Sequence, residues 1–210
     1  KIAFGLDPTL GGVLASLVGR PNLIERIQQG GIVGYLVILL GLFGVSIAGQ
    51  RWYVLQSADK KVTAQLNSTS ISDDNPLGRV LGVYEENKTV DTDTLELKLA
   101  EAVFKETPAL NKGLLIIKVI SVVAPLMGLL GTVTGMIKTF QAITLYGTGD
   151  PKLMAGGISQ ALVTTVLGLT VAIPTTLLHT IVSGRSRRVT QVIQEQAAGI
   201  IANHSEKSSG

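Results

Sequence analysis

The sequence from Gly128 to Thr176 reads GLLGTVTGMIKTFQAI, then TLYGTGDPKLMAGG, then ISQALVTTVLGLTVAIPTT. Two apolar segments, each long enough to cross a bilayer, are joined by a short turn, and we therefore predict an antiparallel pair of membrane helices. Hydroxyl and amide side chains interrupt both segments: Thr132, Thr134, Thr139, Gln141, Ser159, Gln160, Thr164, Thr165, Thr170, Thr175 and Thr176. A polar group in hydrocarbon costs free energy without a partner, so these side chains should face protein or water.

The composition indicates a membrane protein. Of 210 residues, 46% are hydrophobic and only 16% are charged, and the mean hydropathy is +0.41. The absence of cysteine excludes a disulfide framework and thiolate metal sites. A net charge of +3 is too small to favour nucleic acid as a partner. Because the chain begins with Lys1, we expect that a signal peptide or a longer region precedes it.

The apolar segments divide the chain into seven predicted parts. They are a segment with a short amphipathic helix capped by Asn22 (1–30), a first transmembrane helix (31–50), a polar insert (51–112), a second transmembrane helix (113–146), a turn (147–152), a third transmembrane helix (153–184) and a polar tail (185–210). The predicted fold is therefore an all-α membrane protein with three transmembrane helices and helical extensions outside the membrane.

Local signals refine the polar parts. Residues 67–75 are rich in Asn, Ser, Thr and Asp and predict a mobile loop, whereas 91–106 predicts a helix with a capping box formed by Asp93 and Glu96. An amphipathic pattern continues over 189–203, and the residues from Ser205 to Gly210 are expected to be disordered. We expect apolar residues of both extensions to be buried between subunits: Leu95, Val103, Val192 and Ile200.

The third helix has clear start signals. Asp150 is its predicted N-cap and Pro151 its first residue, while Pro125 and Pro174 are tolerated inside the second and third helices. The predicted interface anchors are Arg51, Trp52, Lys118, Lys138, Arg185, Arg187 and Arg188. The insert holds eight Lys and Arg residues and the tail four, against three before the first helix and one in the turn. This asymmetry places the insert and tail in the cytoplasm and the amino terminus outside.

Small and polar residues suggest close packing around a narrow lumen. Gly128, Gly131, Gly135 and Gly168 suit close helix crossings. Gln160, Thr164, Gly168, Val171 and Thr175 fall near one stripe of a helix, although a single Thr can equally bond its own helix carbonyls. His179 near the end of the third helix is more typical of an ordinary hydrogen-bonded side chain than of a proton relay.

These motifs resemble the MotA/TolQ/ExbB proton channel family, most closely ExbB and TolQ. The resemblance lies in Gly131-Thr132-Val133, the turn, Gly157 to Leu162, and Ala172-Ile173-Pro174. It implies a proton-driven subunit of the bacterial inner membrane that forms a ring of five copies. The implied partners are an ExbD-like single-helix protein with a membrane Asp, a TonB-like protein that drives outer-membrane transport, and phospholipid.

The resemblance also implies a proton pathway. It assigns lumen positions to Thr132 and Thr165, and the predicted lumen set is Thr132, Gln160, Thr164, Thr165 and Thr175. ExbB subunits carry glutamate at the position of Gln160, and this chain has no Asp or Glu in its three membrane segments. The proton-carrying group is therefore expected on the partner.

Other functions remain open at this point. The chain has no phosphate loop, no metal-ligand spacing and no catalytic triad, so we predict neither an enzyme nor a cofactor. The alternatives are a non-conducting scaffold of a membrane transport complex, a TolQ-like subunit for envelope maintenance, and a subunit of a solute transporter. The last would usually show internal repeats and broken helices, and neither is evident.

Overall fold

The computed structural model describes residues 23–68, 70–147 and 151–209, and these residues are almost entirely helical. The helices, in chain order, are α1 (Leu23–Gln29), α2 (Gly31–Leu66), α3 (Pro76–Glu86), α4 (Thr92–Asn111), α5 (Leu114–Tyr146) and α6 (Pro151–Ser209). Three stretches are long and apolar enough to cross a membrane: Gly31–Leu66, Thr92–Tyr146 and Met154–Lys207. The predicted all-α architecture with three such helices is confirmed.

The chain divides into two compact units, and α2, α5 and α6 each contribute residues to both. The first unit comprises Lys1–Ile38 and Leu126–Leu169. In its described part, α1 and the start of α2 pack with α5 from Leu126 onward and with α6 up to Leu169. Glycines dominate these contacts, because side chains of neighbouring helices occupy the space that a Cβ would need.

The second unit comprises Leu39–Pro125 and Thr170–Gly210 and contains a hydrophobic core. α2 contributes a stripe at intervals of seven residues, Ala48, Leu55 and Val62, and all three are buried. This stripe explains why α2 runs to Leu66, well beyond the predicted membrane segment. The rest of the buried core comes from the four other helices of the unit: Leu77, Val80, Leu95, Leu99, Val103, Leu110, Leu114, Ile117, Val182, Val189, Ile193 and Ala197.

The expectation that Leu95 and Val103 are buried between subunits is wrong. Both side chains lie in the core of a single chain, and Leu95 is fully buried there. Val192 and Ile200 pack against the same core. The apolar stripe of α4 was identified correctly, but its partner is the chain's own α6 and α3 rather than a second copy.

Replacing Leu95 with Ala should therefore destabilise the chain itself. Deleting a fully buried Leu side chain costs about 2–5 kcal/mol in unfolding free energy through lost transfer energy and the cavity left behind. Leu97→Ala is the matched control on the same helix, because Leu97 is 72% exposed. Denaturant unfolding of both variants would test this, and equal losses of stability would contradict the placement of Leu95 in the core.

The starts of α3 and α4 differ from the expectations drawn from the sequence. Asp91, in extended backbone, caps α4 by accepting a hydrogen bond from the Thr94 amide at 2.9 Å. The predicted capping box of Asp93 and Glu96 is therefore wrong, because the N-cap lies two residues earlier, at Asp91, and the helix begins at Thr92. Helix α3 was not predicted, although Asn75 and the following Pro form a typical start: the Asn75 Oδ1 accepts from the Gly78 amide at 2.7 Å.

The end of α6 also differs from expectation. Residues 205–209 continue the helix instead of being disordered, and a ring nitrogen of His204 lies 3.0 Å from the Val90 carbonyl oxygen. Pro151 is the first residue of α6, and Pro125 and Pro174 lie inside unbroken helices. The predicted caps Asn22 and Asp150 lie outside the described residues.

The segment between α2 and α3 is held by polar contacts in its described part. Gln65 is buried and its side chain donates to the Ser70 carbonyl at 2.8 Å and accepts from the Ser72 amide at 3.0 Å. Side-chain hydrogen bonds, from Lys61 foremost and then from Ser72 and Asn75, lower the pKa of the Asp74 carboxyl group to about 2. These contacts favour a fixed connection rather than the mobile loop predicted for this region.

Candidate functional site

In the first unit, α5 and α6 meet along a seam of small residues. A Cβ added at Gly135 would lie 2.7 Å from the Gly157 carbonyl oxygen, and one added at Gly131 would lie 2.1 Å from the Thr164 hydroxyl. A Cβ added at Gly128 would lie 3.3 Å from the Gly168 Cα. The four glycines predicted for helix packing thus all lie in this seam, where they bring the two backbones close together.

Thr164 and Thr175 are fully buried within the single chain. The Thr164 hydroxyl donates to carbonyl oxygens of its own helix, to Ala161 at 2.9 Å and to Gln160 at 3.0 Å. In the second unit, the Thr175 hydroxyl likewise donates to carbonyl oxygens of its own helix, to Val171 at 2.8 Å and to Ala172 at 3.1 Å. The methyl group of Thr175 lies close to Gly44 of α2. The predicted polar stripe of α6 therefore faces neighbouring helices of the same chain. These two residues pack helices together rather than line an opening.

Thr132 and Thr165 lie beside the seam, and both are partly exposed. The Thr132 hydroxyl donates to the Leu129 carbonyl at 2.6 Å, and the Thr165 hydroxyl donates to the Ala161 carbonyl at 3.3 Å. We take the direction of the seam as zero on each helix and count about 100° per residue. Thr132 on α5 and Thr165 on α6 then lie on the same side of the antiparallel pair, and we call this side the threonine margin. A hydroxyl oxygen that donates one hydrogen bond still has lone pairs to accept others, so this margin offers neutral hydrogen-bonding groups.

Gln160 lies on the other margin of the seam. Its amide oxygen accepts a hydrogen bond from the Lys138 ammonium at 3.0 Å, which joins α6 to α5. The beginning of α2 packs on this side, since Cβ atoms added at Gly30 and Gly34 would each lie 3.2 Å from Leu167. The predicted lumen residues are thus distributed over four places: Thr164 in the seam, Thr132 and Thr165 on the threonine margin, Gln160 on the other margin, and Thr175 against α2 in the second unit.

In the second unit, α5 and α6 border an open groove of about 400 Å³. Its lining is mostly apolar, with two hydroxyl groups: Ser121, Pro125, Ala172, Ile173, Thr176 and Leu177. Both hydroxyls bond carbonyls of their own helices, Ser121 to Lys118 at 2.8 Å and Thr176 to Ala172 at 2.7 Å. No carboxylate occurs in 114–146 or 151–183. This groove therefore holds no side chain that could carry a proton through an apolar region.

Several of the predicted interface anchors have protein partners as well. Arg51 donates to the Ala109 carbonyl at 2.6 Å and so satisfies the carboxyl end of α4. The Arg185 guanidinium lies 5.8 Å from the centre of the Trp52 ring, a cation–π distance. Arg188 lies 3.8 Å from Asp59. The role of Arg51 as a cap was not predicted, because the carbonyls that it meets are 58 residues away in the chain.

Comparison with known proteins gives a consistent result. The model of the MotA/TolQ/ExbB proton channel family matches residues 60–195, more than half of the chain. An ExbB homolog of Methanothermobacter thermautotrophicus is 27% identical over 78% of this chain and 64% of its own length. An ExbB-like protein of Synechocystis is 29% identical over 82% of this chain and 90% of its own.

One further relative gives a shorter match of higher identity. The biopolymer transport protein ExbB of Aquifex aeolicus is 46% identical over 70 residues, which are 33% of this chain and 47% of the relative. The chain thus spans less than two thirds of the length of some of these relatives. Together with the three apolar helices, the family match over residues 60–195 shows that the chain belongs to the MotA/TolQ/ExbB proton channel family.

Proposed function

We propose that the chain is an ExbB-like proton-channel subunit of the bacterial inner membrane. It assembles as a ring of five copies in which α5 and α6 line a lumen and α2 lies outside. An ExbD-like partner inserts a helix with a membrane Asp into the lumen, and the complex uses the proton motive force to do mechanical work on a TonB-like protein for outer-membrane transport. The amino terminus is periplasmic and the carboxyl terminus cytoplasmic.

The observation that carries this proposal is the shared margin of Thr132 and Thr165. The seam residues are used for packing, whereas these two hydroxyls lie beside the seam and retain free lone pairs. They can hydrogen-bond a carboxyl group in either protonation state without adding a charge. A partner carboxylate in such surroundings remains able to take up and release protons, whereas a fixed cation nearby would favour its ionised form.

The exposed surface of the apolar helices supports assembly in a membrane. Only 28% of the residues in each apolar window are buried within the chain. Large side chains of α5 are exposed along much of the helix: Leu115, Val119, Val122, Leu126, Leu129, Val133 and Phe140. A water-soluble monomer rarely exposes so continuous an apolar surface, so lipid and further copies of the chain are its natural partners.

Native mass spectrometry of the detergent-solubilised complex tests the assembly. We expect a stable species with five copies of the chain, and additional mass when the ExbD-like partner is coexpressed. If the chain remains a stable monomer in detergent, the proposed ring is contradicted. Co-purification of the partner with that monomer would not rescue it, because three helices cannot enclose a polar path.

A further inference from the structure

Gln160 joins three helices in the first unit. The Lys138 ammonium can only donate hydrogen bonds, so the amide oxygen of Gln160 must be the atom that faces it, at 3.0 Å. The amide nitrogen is thereby directed away from α5. It faces the beginning of α2, where a Cβ added at Gly31 would lie 3.1 Å from it.

A second contact holds the same turn between α1 and α2. The Ser159 hydroxyl donates to the side-chain oxygen of Gln29 at 3.0 Å. Gly31 has a φ of +59°, a conformation that favours glycine, and it has no side chain that would displace Gln160. Two consecutive residues of α6 therefore meet the turn from Gln29 to Gly31: Ser159 hydrogen-bonds Gln29, and Gln160 lies against Gly31 while it accepts from Lys138.

These contacts place the positive charge of Lys138 away from the two threonines. At about 100° per residue, Lys138 lies ~120° around α5 from Thr132, and Gln160 lies ~140° around α6 from Thr165. The threonine margin and the margin that carries Gln160 and Lys138 are thus on opposite sides of the seam. Among the unit's residues whose side chains the structure describes (24–38, 126–147 and 154–169), the charged ones besides Lys138 are Glu25 and Arg26 on α1, and the phenols are Tyr35 on α2 and Tyr146 on α5.

We propose that Gln160 is a positioning residue: it holds the Lys138 cation on the α2 side of the helix pair and so keeps the threonine margin free of fixed charge. The proposal rests on the proposed function, in which a partner carboxylate works at that margin. A released Lys side chain is long and flexible and can approach the carboxylate. An opposite charge nearby would stabilise the ionised form and lower the pKa of the carboxyl group.

Proton flux into vesicles containing the chain and its ExbD-like partner, measured as a function of pH, tests this role. Gln160→Leu should move the midpoint of the profile to lower pH by about one unit, the low end of the shift that an opposite charge within ~4–6 Å causes. Gln160→Leu combined with Lys138→Gln should return the midpoint to the wild-type value. A midpoint unchanged in Gln160→Leu, or a shift that persists in the double variant, would overturn the proposal.

Two controls separate positioning from mere loss of structure. Gln160→Glu retains an oxygen that can accept from Lys138, and its midpoint should stay with the wild type. If Gln160→Leu does not assemble, Gln160→Met replaces the amide with an apolar chain of similar length. The unfolding midpoints of Gln160→Leu, Lys138→Gln and the double variant, compared with the wild type, form a double-mutant cycle. The cycle should show coupling between Gln160 and Lys138, and the absence of coupling would contradict their contact. A wild-type complex without partner-dependent flux would instead contradict the proposed function, and the cycle would still decide the contact.

Discussion

Replacing Thr132 and Thr165 together with Val is expected to lower partner-dependent proton flux by about a hundredfold. Each hydroxyl would lose a hydrogen bond to a charged carboxylate, worth about 1.5–3 kcal/mol, and each ~1.36 kcal/mol corresponds to a factor of ten in rate. Val has nearly the shape of Thr, and both hydroxyls at present bond carbonyls of their own helices. The fold should therefore survive the change.

Thr134→Val with Thr170→Val provides the matched control. These two threonines lie on the same helices, but the helical period places them away from the margin that carries Thr132 and Thr165. Flux in the control should stay close to that of the wild type. Equal losses in both double variants would mean that the hydroxyls matter only for general packing, and full flux in the Thr132 and Thr165 variant would remove them from the pathway.

Gly135→Ala should disrupt the pairing of α5 and α6 and with it both assembly and flux. The new methyl group would lie 2.7 Å from the Gly157 carbonyl oxygen and 2.8 Å from the Ala161 amide nitrogen. Both are backbone atoms, so a rotamer change cannot relieve the clash and the helices must separate. Overpacking of this kind costs about 1–3 kcal/mol, and the loss should appear as a lower unfolding midpoint of the purified complex.

Gly156→Ala tests whether the effect belongs to the seam. Gly156 lies on α6 beside the seam residue Gly157, but an added Cβ there would have no atom within 4 Å in the chain. We expect the Gly156→Ala chain to be as stable as the wild type, since Ala favours helix more than Gly. A larger loss in this variant than in Gly135→Ala would show that the seam does not control the stability of the helix pair.

The sequence was most informative where a pattern is compatible with only one structure. Long uncharged segments predicted the three membrane helices, and a glycine spacing of three or four residues predicted a close crossing, which the seam from Gly128 to Gly135 contains. The partner of an amphipathic stripe was harder to predict. Leu95 has the same spacing whether α4 packs on its own chain or on a second copy, and only the fold shows that its own chain buries it.

The candidate site illustrates the same difficulty within one helix. Gln160, Thr164 and Thr175 share a stripe on α6, but they contact different elements because α5 and α2 approach α6 from different directions. A helical wheel gives the angle of each residue and not the position of its neighbours. The pairing of Lys138 with Gln160 across 22 residues, and that of Arg51 with α4, needed tertiary structure for the same reason.

We expect the proton-carrying group to belong to the partner, because this chain has no carboxylate in its membrane segments. Proton flux into vesicles under a fixed gradient tests this assignment with three samples: the chain alone, the chain with its ExbD-like partner, and the chain with a partner whose membrane Asp is replaced by Asn. We expect flux above background only in the second sample. Equal flux from the chain alone and from the complete complex would contradict a proton-carrying group on the partner.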